Sequence, residues 1–482
     1  MRENELPQSK PDGFASSLGE GASGVPANLA LTPETANPSG EKVVQKRPQA
    51  FLNHKYKNIF PLNRARAQAE VIPNRPAPAL QSFSRNDTIR PNRNAPLPGF
   101  PVREKEANHM SMNTVPERLA ALRAAMAANG VAVYLIPVGD PHASEYLPCH
   151  YTSLTWFSGF HGENSNFVVT RTESALWADG RYFVQAEKEI AGTEIKLQRM
   201  GEPGVPTVEE YCANALNEGE ALGLCGLTAS TALVNDLKKA LEKKGASIKT
   251  LNLEDELWTE GRPALPDTPA WILPKEYAGF SPAEKLDQLR SKLKELGCTA
   301  QFVGKLDHLA WLLNLRAMDI ECTPYAMAYC YVTPSRAVLF INTARVTPEA
   351  KAELEANGIT LAEYDDVLKF LAAETEPQTV LAECATVNYA VYQVLEQNPA
   401  LTVKDGTDPL LMMKGVKNET ELAHTKQAHI RDAVAMVRFQ IELESRLAAG
   451  ETLTELTVDE ILHKYRSADD KFLVESFGTI AA

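Results

Sequence analysis

Two stretches of the chain place apolar and polar residues in the same order: ERLAALRAAMAANGVAVYLIPVGD (117–140) and EKLDQLRSKLKELGCTAQFVGKLD (284–307). In each, leucines recur at the three- and four-residue spacing of an amphipathic helix. The helical pattern ends at Gly130 in the first stretch and at Gly297 in the second, and an apolar strand follows. Equal length and equal order indicate that one structural unit is present twice.

The parallel continues downstream of both stretches. FVVTRTESALWADGR (167–181) and YVTPSRAVLFINTAR (331–345) each predict a strand, a turn, a second strand and a final Arg. Alternating helices and strands are typical of α/β domains. The sequence therefore predicts two tandem, related α/β domains, each with a mixed sheet flanked by helices, and it places Asp140 and Asp307 at equivalent strand ends.

Composition narrows the class of protein. The chain has 482 residues, of which 44% are apolar, and a net charge of −13, which suits about three domains with their own cores. The acidic balance argues against a nucleic-acid partner. No apolar run reaches the length of a bilayer span, and the N-terminus lacks a signal-peptide pattern. Seven scattered cysteines without a CxxC motif are typical of reduced thiols, so we expect a soluble, cytoplasmic protein.

The N-terminal region differs from the rest of the chain. The first 110 residues hold 14 of the 31 prolines and show no sustained helical or strand period, so we predict that 1–112 is a disordered extension, either a linker or non-native sequence. GEGASG (19–24) matches the dinucleotide-binding fingerprint formally, but no strand precedes it and Pro26 follows it. The first ordered helix is predicted where Thr114 and Glu117 have the spacing of a capping box.

The C-terminal region predicts two further helices. Asn418 and Glu421 have capping-box spacing, and so do Thr457 and Glu460. One face of the first helix is apolar and carries Ile430, Val434, Val437 and Ile441. The predicted domain limits are 1–112 for the extension, 113–262 and 263–407 for the two α/β domains, and 408–482 for the start of a third domain.

Six segments, in order along about 113–482, resemble the pattern of one family, the long, three-domain form of Xaa-Pro aminopeptidase (aminopeptidase P). They are GDPHASEY (139–146), SGF (158–160), DGRYFVQA (179–186), LDHLAWLLNLRAMDI (306–320), VKNETE (416–421) and AHIRDAVAM (428–436). The resemblance implies two creatinase-N-terminal-like α/β domains followed by the beginning of an α+β pita-bread domain. A duplicated domain favours the long form over the short forms, prolidases and creatinases. One departure is HGENSN (161–166), where the family has a small, Gly-rich segment.

The resemblance also implies a function. The family removes the N-terminal residue of peptides that have proline at the second position, using two divalent metal ions, usually manganese, held by two Asp, one His and two Glu. The segment 475–482 resembles the first strand of the catalytic domain, and the family's metal ligands follow that strand. We therefore expect a fragment of such an enzyme with no catalytic residue and no metal ligand of its own, inactive by itself. We expect the intact enzyme to form a homodimer.

A second class of function remains open at this point. The alternative is that the fragment is a non-catalytic pseudo-peptidase module that binds peptides or proteins. The resemblance alone therefore leaves open whether this chain is an enzyme.

Arg181 is the residue that the resemblance links to substrate binding, because the Arg of the DGRYF motif projects toward the bound peptide in the family. A guanidinium group suits that role since its fork of N–H donors fits a carbonyl or carboxylate. The alternative is a purely structural Arg that pairs with Asp179. The matching Arg345 lacks the preceding Asp-Gly, so we predict a structural role for it.

Other side chains carry weaker expectations. His142 is more consistent with a hydrogen-bonded loop residue than with a ligand-binding one. For Trp156 and Phe157, a position in the wall of a substrate groove is an alternative reading. Trp311 and Leu315 at helical spacing predict core or interdomain packing. His429 with Asp432 has the chemistry to hold a metal, but surface polar residues on a long helix explain the pair better.

Overall fold

The computed structural model of the chain describes residues 114–480, and the predicted extension at 1–112 lies outside that range. Two six-stranded sheets, a two-stranded sheet and a helical C-terminal segment make up the described part. None of the helices within 114–480 combines the length and the apolar character that crossing a bilayer requires.

The first domain begins with the predicted capping box. The Thr114 backbone N–H donates to Glu117 Oε2 at 2.7 Å, and Gly130 follows the helix with a φ of +63°, a conformation that glycine adopts without strain. Its elements are α1 (Val115–Ala128), β1 (Val133–Pro137), α2 (Ser153–Ser158), β2 (Asn166–Thr170), β3 (Ser174–Ala178), α3 (Phe183–Glu189), β4 (Ile195–Arg199), α4 (Val208–Asn214), β5 (Ala221–Leu224), α5 (Thr231–Glu242), β6 (Ser247–Thr250) and α6 (Leu253–Leu257).

The first sheet has the strand order β4-β3-β2-β1-β5-β6. The β1–β2 and β2–β3 pairs are antiparallel and the other pairs are parallel, so the sheet is mixed. Leu119, Leu122 and Met126 of α1 are buried on one face of the sheet, while α4 and α5 cover the other face. β1 lies between β2 and β5 and is buried along its whole length. The loop after β1 therefore begins at a fixed point inside the sheet.

The second domain repeats this architecture. Its elements are β7 (Trp271–Ile272), α7 (Lys275–Ala278), α8 (Pro282–Glu295), β8 (Ala300–Val303), α9 (Leu306–Leu312), β9 (Leu315–Arg316), β10 (Tyr329–Val332), β11 (Ala337–Phe340), α10 (Pro348–Ala356), β12 (Ile359–Ala362), α11 (Val367–Ala372), β13 (Gln378–Leu381), α12 (Tyr389–Gln397) and β14 (Leu401–Lys404).

The second sheet confirms the predicted duplication. Its strand order is β12-β11-β10-β8-β13-β14, and its antiparallel pairs are β8–β10 and β10–β11, the same positions as in the first sheet. Asp140 lies in the loop after β1, whereas Asp307 lies in the first turn of α9 after β8. The strand ends are therefore equivalent, but the local structure around the two carboxylates differs.

The two domains contact each other through matching segments. Ser230 caps α5 and Asn388 caps α12, and the two residues face each other in an antiparallel bridge. Four backbone hydrogen bonds form two reciprocal pairs around that bridge: Thr231 N–H to Val387 O at 3.0 Å, Tyr389 N–H to Ala229 O at 2.9 Å, Ala232 N–H to Cys384 O at 2.8 Å and Ala390 N–H to Gly226 O at 2.9 Å. Equal offsets from each cap give this contact a local two-fold arrangement.

The C-terminal segment contains α13 (Leu410–Gly415), α14 (Glu419–Ala448) and α15 (Glu455–Arg466). The capping box of Asn418 and Glu421 is confirmed. The predicted cap at Thr457 is wrong, because Thr454 caps α15 by accepting a hydrogen bond from the Thr457 N–H at 3.2 Å. The strand expected from residue 475 is absent through residue 480, since no described strand lies beside that segment to pair with it.

Candidate functional site

The turn between β3 and α3 presents the sequence-predicted site residue, Arg181. Asp179 closes the turn, because its Oδ1 accepts the Arg181 backbone N–H at 2.9 Å. The same carboxylate binds the Arg181 side chain, with Nε at 3.1 Å from Oδ1 and Nη2 at 2.7 Å from Oδ2. The sequence DGR thus produces a short loop in which the Asp fixes both the backbone and the guanidinium group.

Electrostatics keep this pair ionised. The hydrogen bonds from Arg181 lower the pKa of Asp179 to about 2, although partial burial opposes the shift. The Arg181 side chain is 64% exposed, and its guanidinium lies 5.1 Å from the Tyr182 ring centre. Hydrogen bonds within the described residues account for Nε and Nη2, which leaves the Nη1 donors for a ligand carbonyl or carboxylate.

The neighbouring loop 161–166, which departs from the family pattern, is tied to the same turn. Asn164 Nδ2 donates to Asp179 Oδ2 at 3.1 Å, and Tyr182 Oη donates to Glu163 Oε2 at 3.2 Å. The position of Arg181 is therefore supported by two segments rather than by its own loop alone.

The matching residue of the second domain has a different environment. Arg345 forms a buried ion pair with Asp319, in which the side chains are 3% and 0% exposed. Its Nη2 donates to the Met327 carbonyl at 2.8 Å. The structural role predicted for Arg345 is confirmed, because its guanidinium is engaged with Asp319 and the Met327 carbonyl in the interior of the domain.

His142 is a structural link between the two domains, as expected of a hydrogen-bonded loop residue. Its Nδ1 donates to the Gly304 carbonyl at 2.8 Å, and its Nε2 accepts from Tyr364 Oη at 2.8 Å. Asp140 orders the same loop by accepting the His142 and Ser144 backbone N–H groups. Burial lowers the pKa of His142, which favours the neutral ring that this bonding pattern requires.

The aromatic residues before the SGF motif do not line a groove. Trp156 is 4% exposed and Phe157 is fully buried, so the groove-lining alternative is wrong. Trp156 packs against Trp258 with 5.5 Å between the rings. By contrast, the packing role of Trp311 is confirmed, since it lies against the second core and its indole N–H donates to Glu421 Oε1 at 2.9 Å.

No group of three or more His, Cys, Asp or Glu side chains within residues 114–480 has a metal-binding arrangement. His429 is exposed, and Asp432 instead pairs with Arg466 at 2.8 Å. The buried His308 donates from Nδ1 to Asp408 Oδ2 at 2.7 Å. The Asp432–Arg466 pair joins α14 to α15, and the His308–Asp408 pair joins α9 to the segment before α13, so these side chains do not converge on one point.

Sequence reasoning missed one buried acidic group. Glu254 is 4% exposed and lies within hydrogen-bond distance of the Tyr134 hydroxyl, although it stands in the run LEDEL, which is typical of a solvated helix face. No local pattern distinguishes it from Asp255 and Glu256, because its partner lies 120 residues earlier in the chain.

Comparison with known proteins agrees with this architecture. The family model of the Creatinase/Prolidase N-terminal domain matches residues 118–257, and a second model of the same description matches 261–421. Aminopeptidase P2 of Arabidopsis thaliana is 34% identical over 399 residues, which are 76% of this chain and 56% of the relative. A probable Xaa-Pro aminopeptidase P of Sordaria macrospora is 34% identical over 388 residues, 77% of this chain and 62% of the relative. The chain belongs to the Xaa-Pro aminopeptidase P family.

A solved structure from the same family supports the fold. X-prolyl aminopeptidase from Caenorhabditis elegans, described as a cytosolic enzyme with a di-nuclear active site, matches with a TM-score of 0.71 at 31% identity. The match covers 77% of this chain and 62% of the nematode enzyme. This aminopeptidase P family member therefore has two creatinase N-terminal domains and the start of a pita-bread domain, and it spans little more than half the length of its relatives.

Proposed function

We propose that this chain is the substrate-positioning part of an Xaa-Pro aminopeptidase, which removes the N-terminal residue from peptides with proline second. The observation that carries the proposal is the Arg181 guanidinium, which is exposed, held by Asp179 and has unused Nη1 donors. A side chain held on one edge and accessible on the other binds a peptide carbonyl or carboxylate without first paying the entropy of ordering. In this proposal Arg181 orients the peptide and takes no part in bond cleavage.

We also propose that the hydrolytic chemistry depends on residues outside 114–480. Two divalent metal ions, manganese in our proposal, would supply an activated water and a site for the oxyanion. Holding two such ions requires several converging carboxylates, whereas several acidic side chains on the C-terminal helices pair with basic side chains instead. Glu442, for example, pairs with Arg446 and Lys464. The chain by itself is thus inactive and binds no metal pair.

The apolar face of α14 supports a further packed domain. Ile430, Val434, Val437 and Ile441 are between 46% and 63% exposed, and four such side chains on one helix face are typical of a surface that another part of a protein covers. We propose domain limits of 113–262 and 263–407 for the creatinase-like domains and 408–482 for the pita-bread segment. A cytosolic location and a homodimer of the complete enzyme belong to the same proposal.

The experiment compares two proteins with an Xaa-Pro peptide and excess Mn²⁺, with and without a chelator. The first is the chain itself, and the second is a chimera in which residues 1–482 precede the part of the C. elegans enzyme that the alignment does not cover. We expect chelator-sensitive release of the N-terminal residue from the chimera alone. Release by residues 1–482 would contradict the proposed division. Peptide binding without cleavage by both proteins would instead favour a non-catalytic binding module.

A further inference from the structure

A cavity of about 200 Å³ lies between the two creatinase-like domains. The first domain supplies the loop after β1, the segment 150–153 and the start of α6, and the second supplies Tyr329 and the segment 364–368. Leu265 of the interdomain linker lies on its border. The cavity has no part in the substrate-positioning role assigned to Arg181, which does not line it.

Glu254 lines this cavity and is the buried carboxyl group of its wall. The Tyr134 hydroxyl lies within hydrogen-bond distance of three groups: Glu254 Oε2, the Leu251 carbonyl at 3.0 Å and the Leu253 N–H at 3.2 Å. A hydroxyl has one proton to donate and two lone pairs to accept with. All three contacts are satisfied at once only when Glu254 carries a proton and donates it to Tyr134, so this arrangement favours the neutral acid.

The charges around the cavity leave an excess of acid. Arg262 is already paired with Asp255, and its Nε donates to the His150 carbonyl at 3.2 Å. Burial lowers the pKa of His150, so that ring adds no positive charge at neutral pH. Asp365 at the rim makes no ion pair among the described residues. The wall therefore contains two carboxyl groups without a cationic partner, Glu254 and Asp365.

Three tyrosines also line the cavity. The rings of Tyr329 and Tyr364 are stacked with centres 5.1 Å apart and 19° between their planes, and Tyr151 lies on the same cavity. Burial raises the pKa of each of these hydroxyls, so the rings stay neutral. Neutral aromatic faces beside carboxylates are the surroundings in which proteins bind organic cations.

We propose that this interdomain cavity binds a small organic cation, a guanidinium or primary ammonium group, with Glu254 as its counter-ion. A compact cation fits a volume that holds only a few water molecules. Because the cavity has walls from both domains, the bound cation would also strengthen their contact. A free small cation and the basic side chain of a peptide share this chemistry. The experiment separates the two by the size of the ligand.

Binding of a cation is coupled to loss of the Glu254 proton. Burial raises the pKa of this carboxyl group to about 7, and donation from Tyr134 to the carboxylate form opposes the shift. The other groups facing it are Cys225 after β5, Asp255 on the same helix and the paired Arg262. On α1, which packs against α6, Arg118 is directed to Trp156, with its guanidinium 4.7 Å from the ring centre. A cation in the cavity favours the carboxylate form, so binding releases a proton at pH 6.

The test is titration calorimetry of the 1–482 chain with methylguanidinium, in two buffers of different ionisation enthalpy. We expect binding that is tighter at pH 8 than at pH 6, with proton release at pH 6. N-methylurea, a neutral molecule of similar shape, should not bind. N-acetyl-arginine amide distinguishes the sources: equal affinity supports a basic peptide side chain, and much weaker affinity supports a free small cation.

Glu254→Gln is the decisive variant, because glutamine keeps a donor toward Tyr134 and removes the charge. We expect unchanged folding, affinity reduced by roughly tenfold or more, and no proton release. Glu256→Gln, an exposed neighbour on α6 that does not line the cavity, is the matched control and should bind normally. Should Glu254→Gln fail to fold, Asp365→Asn at the exposed rim should still weaken binding. Equal binding of methylguanidinium and N-methylurea, or no binding of either, would overturn the proposal.

Discussion

Arg181 and Arg345 end the same strand-turn-strand unit in the two domains, and their surroundings differ in one respect. Asp179 stands two residues before Arg181, on the same turn, and the pair remains at the surface. Asp319 stands 26 residues before Arg345, on a different segment, and that pair is buried. A carboxylate that is local in sequence orients the guanidinium without covering it, whereas a distant one joins two segments and encloses it.

The difference has energetic consequences that separate the two residues. Exposed ion pairs contribute little to stability, so Arg181 is available for a ligand at almost no cost to the fold. Removing one partner of a buried pair leaves an uncompensated charge in the interior. The two copies of the unit therefore use the same Arg position differently. In the second domain Arg345 joins two segments in the interior, and in the first domain Arg181 remains accessible.

Replacing Arg345 should have the largest effect. Arg345→Met leaves the Asp319 carboxylate buried without its cation, and we expect a loss of about 3–5 kcal/mol in unfolding free energy. Urea denaturation followed by circular dichroism measures it. Arg181→Met is the matched control and should leave the denaturation midpoint unchanged. Equal losses at both positions would remove the distinction between the two domains.

The two domains also differ in how they treat a buried acid, since Glu254 has no cationic partner whereas Asp319 has Arg345. Burial raises the pKa of Glu254 from 4.5 to about 7, so the folded state holds this proton more tightly than the unfolded state. The stabilisation is fully present below pH 4.5 and is lost as the pH rises through 7. Between pH 4.5 and the range above pH 7, the unfolding free energy of the native chain should fall by about 3 kcal/mol relative to that of Glu254→Gln.

Denaturation of both proteins at several pH values measures this difference. Groups that titrate elsewhere in the chain are common to both proteins and cancel. If the difference in unfolding free energy between the two proteins stays constant from pH 4 to pH 8, Glu254 titrates as it does in water.

The two helix caps at the domain contact should differ by a smaller amount. Among the residues that the structure describes, Ser230 Oγ accepts only the Leu233 N–H, at 3.2 Å. Asn388 accepts the Val391 N–H and also donates to the Pro141 carbonyl at 2.9 Å. We expect Ser230→Ala to cost about 1 kcal/mol and Asn388→Ala about 2 kcal/mol in unfolding free energy. Equal costs would indicate that the link to Pro141 adds nothing to the domain contact.

Much of the fold was predictable because its signals are local. The repeated helix-strand pattern, the capping boxes at Thr114 and Asn418 and the glycines after α1 and α8 each act within a few residues. The cap of α15 was misplaced by three residues, because Thr454 and Thr457 are both good caps and the chain uses the first.

The candidate site was less predictable, because its properties depend on distant contacts. The contacts between Asp179 and Arg181 are local to the DGR sequence, but burial of Trp156 depends on Trp258, 102 residues later. The buried environment of Glu254 likewise includes Tyr134, which lies 120 residues earlier in the chain. No pattern over ten residues contains such information, so exposure and pKa had to come from the structure.

The most direct test of the account replaces Arg181 by Ala in the chimera with the C. elegans segment. Because Arg181 is exposed and its proposed role is to orient the peptide, we expect kcat/KM for an Xaa-Pro peptide to fall roughly ten- to a hundredfold. The fall should appear mainly as a higher KM, with a denaturation midpoint equal to that of the parent. An unchanged kcat/KM would contradict the account and leave Arg181 as a surface partner of Asp179.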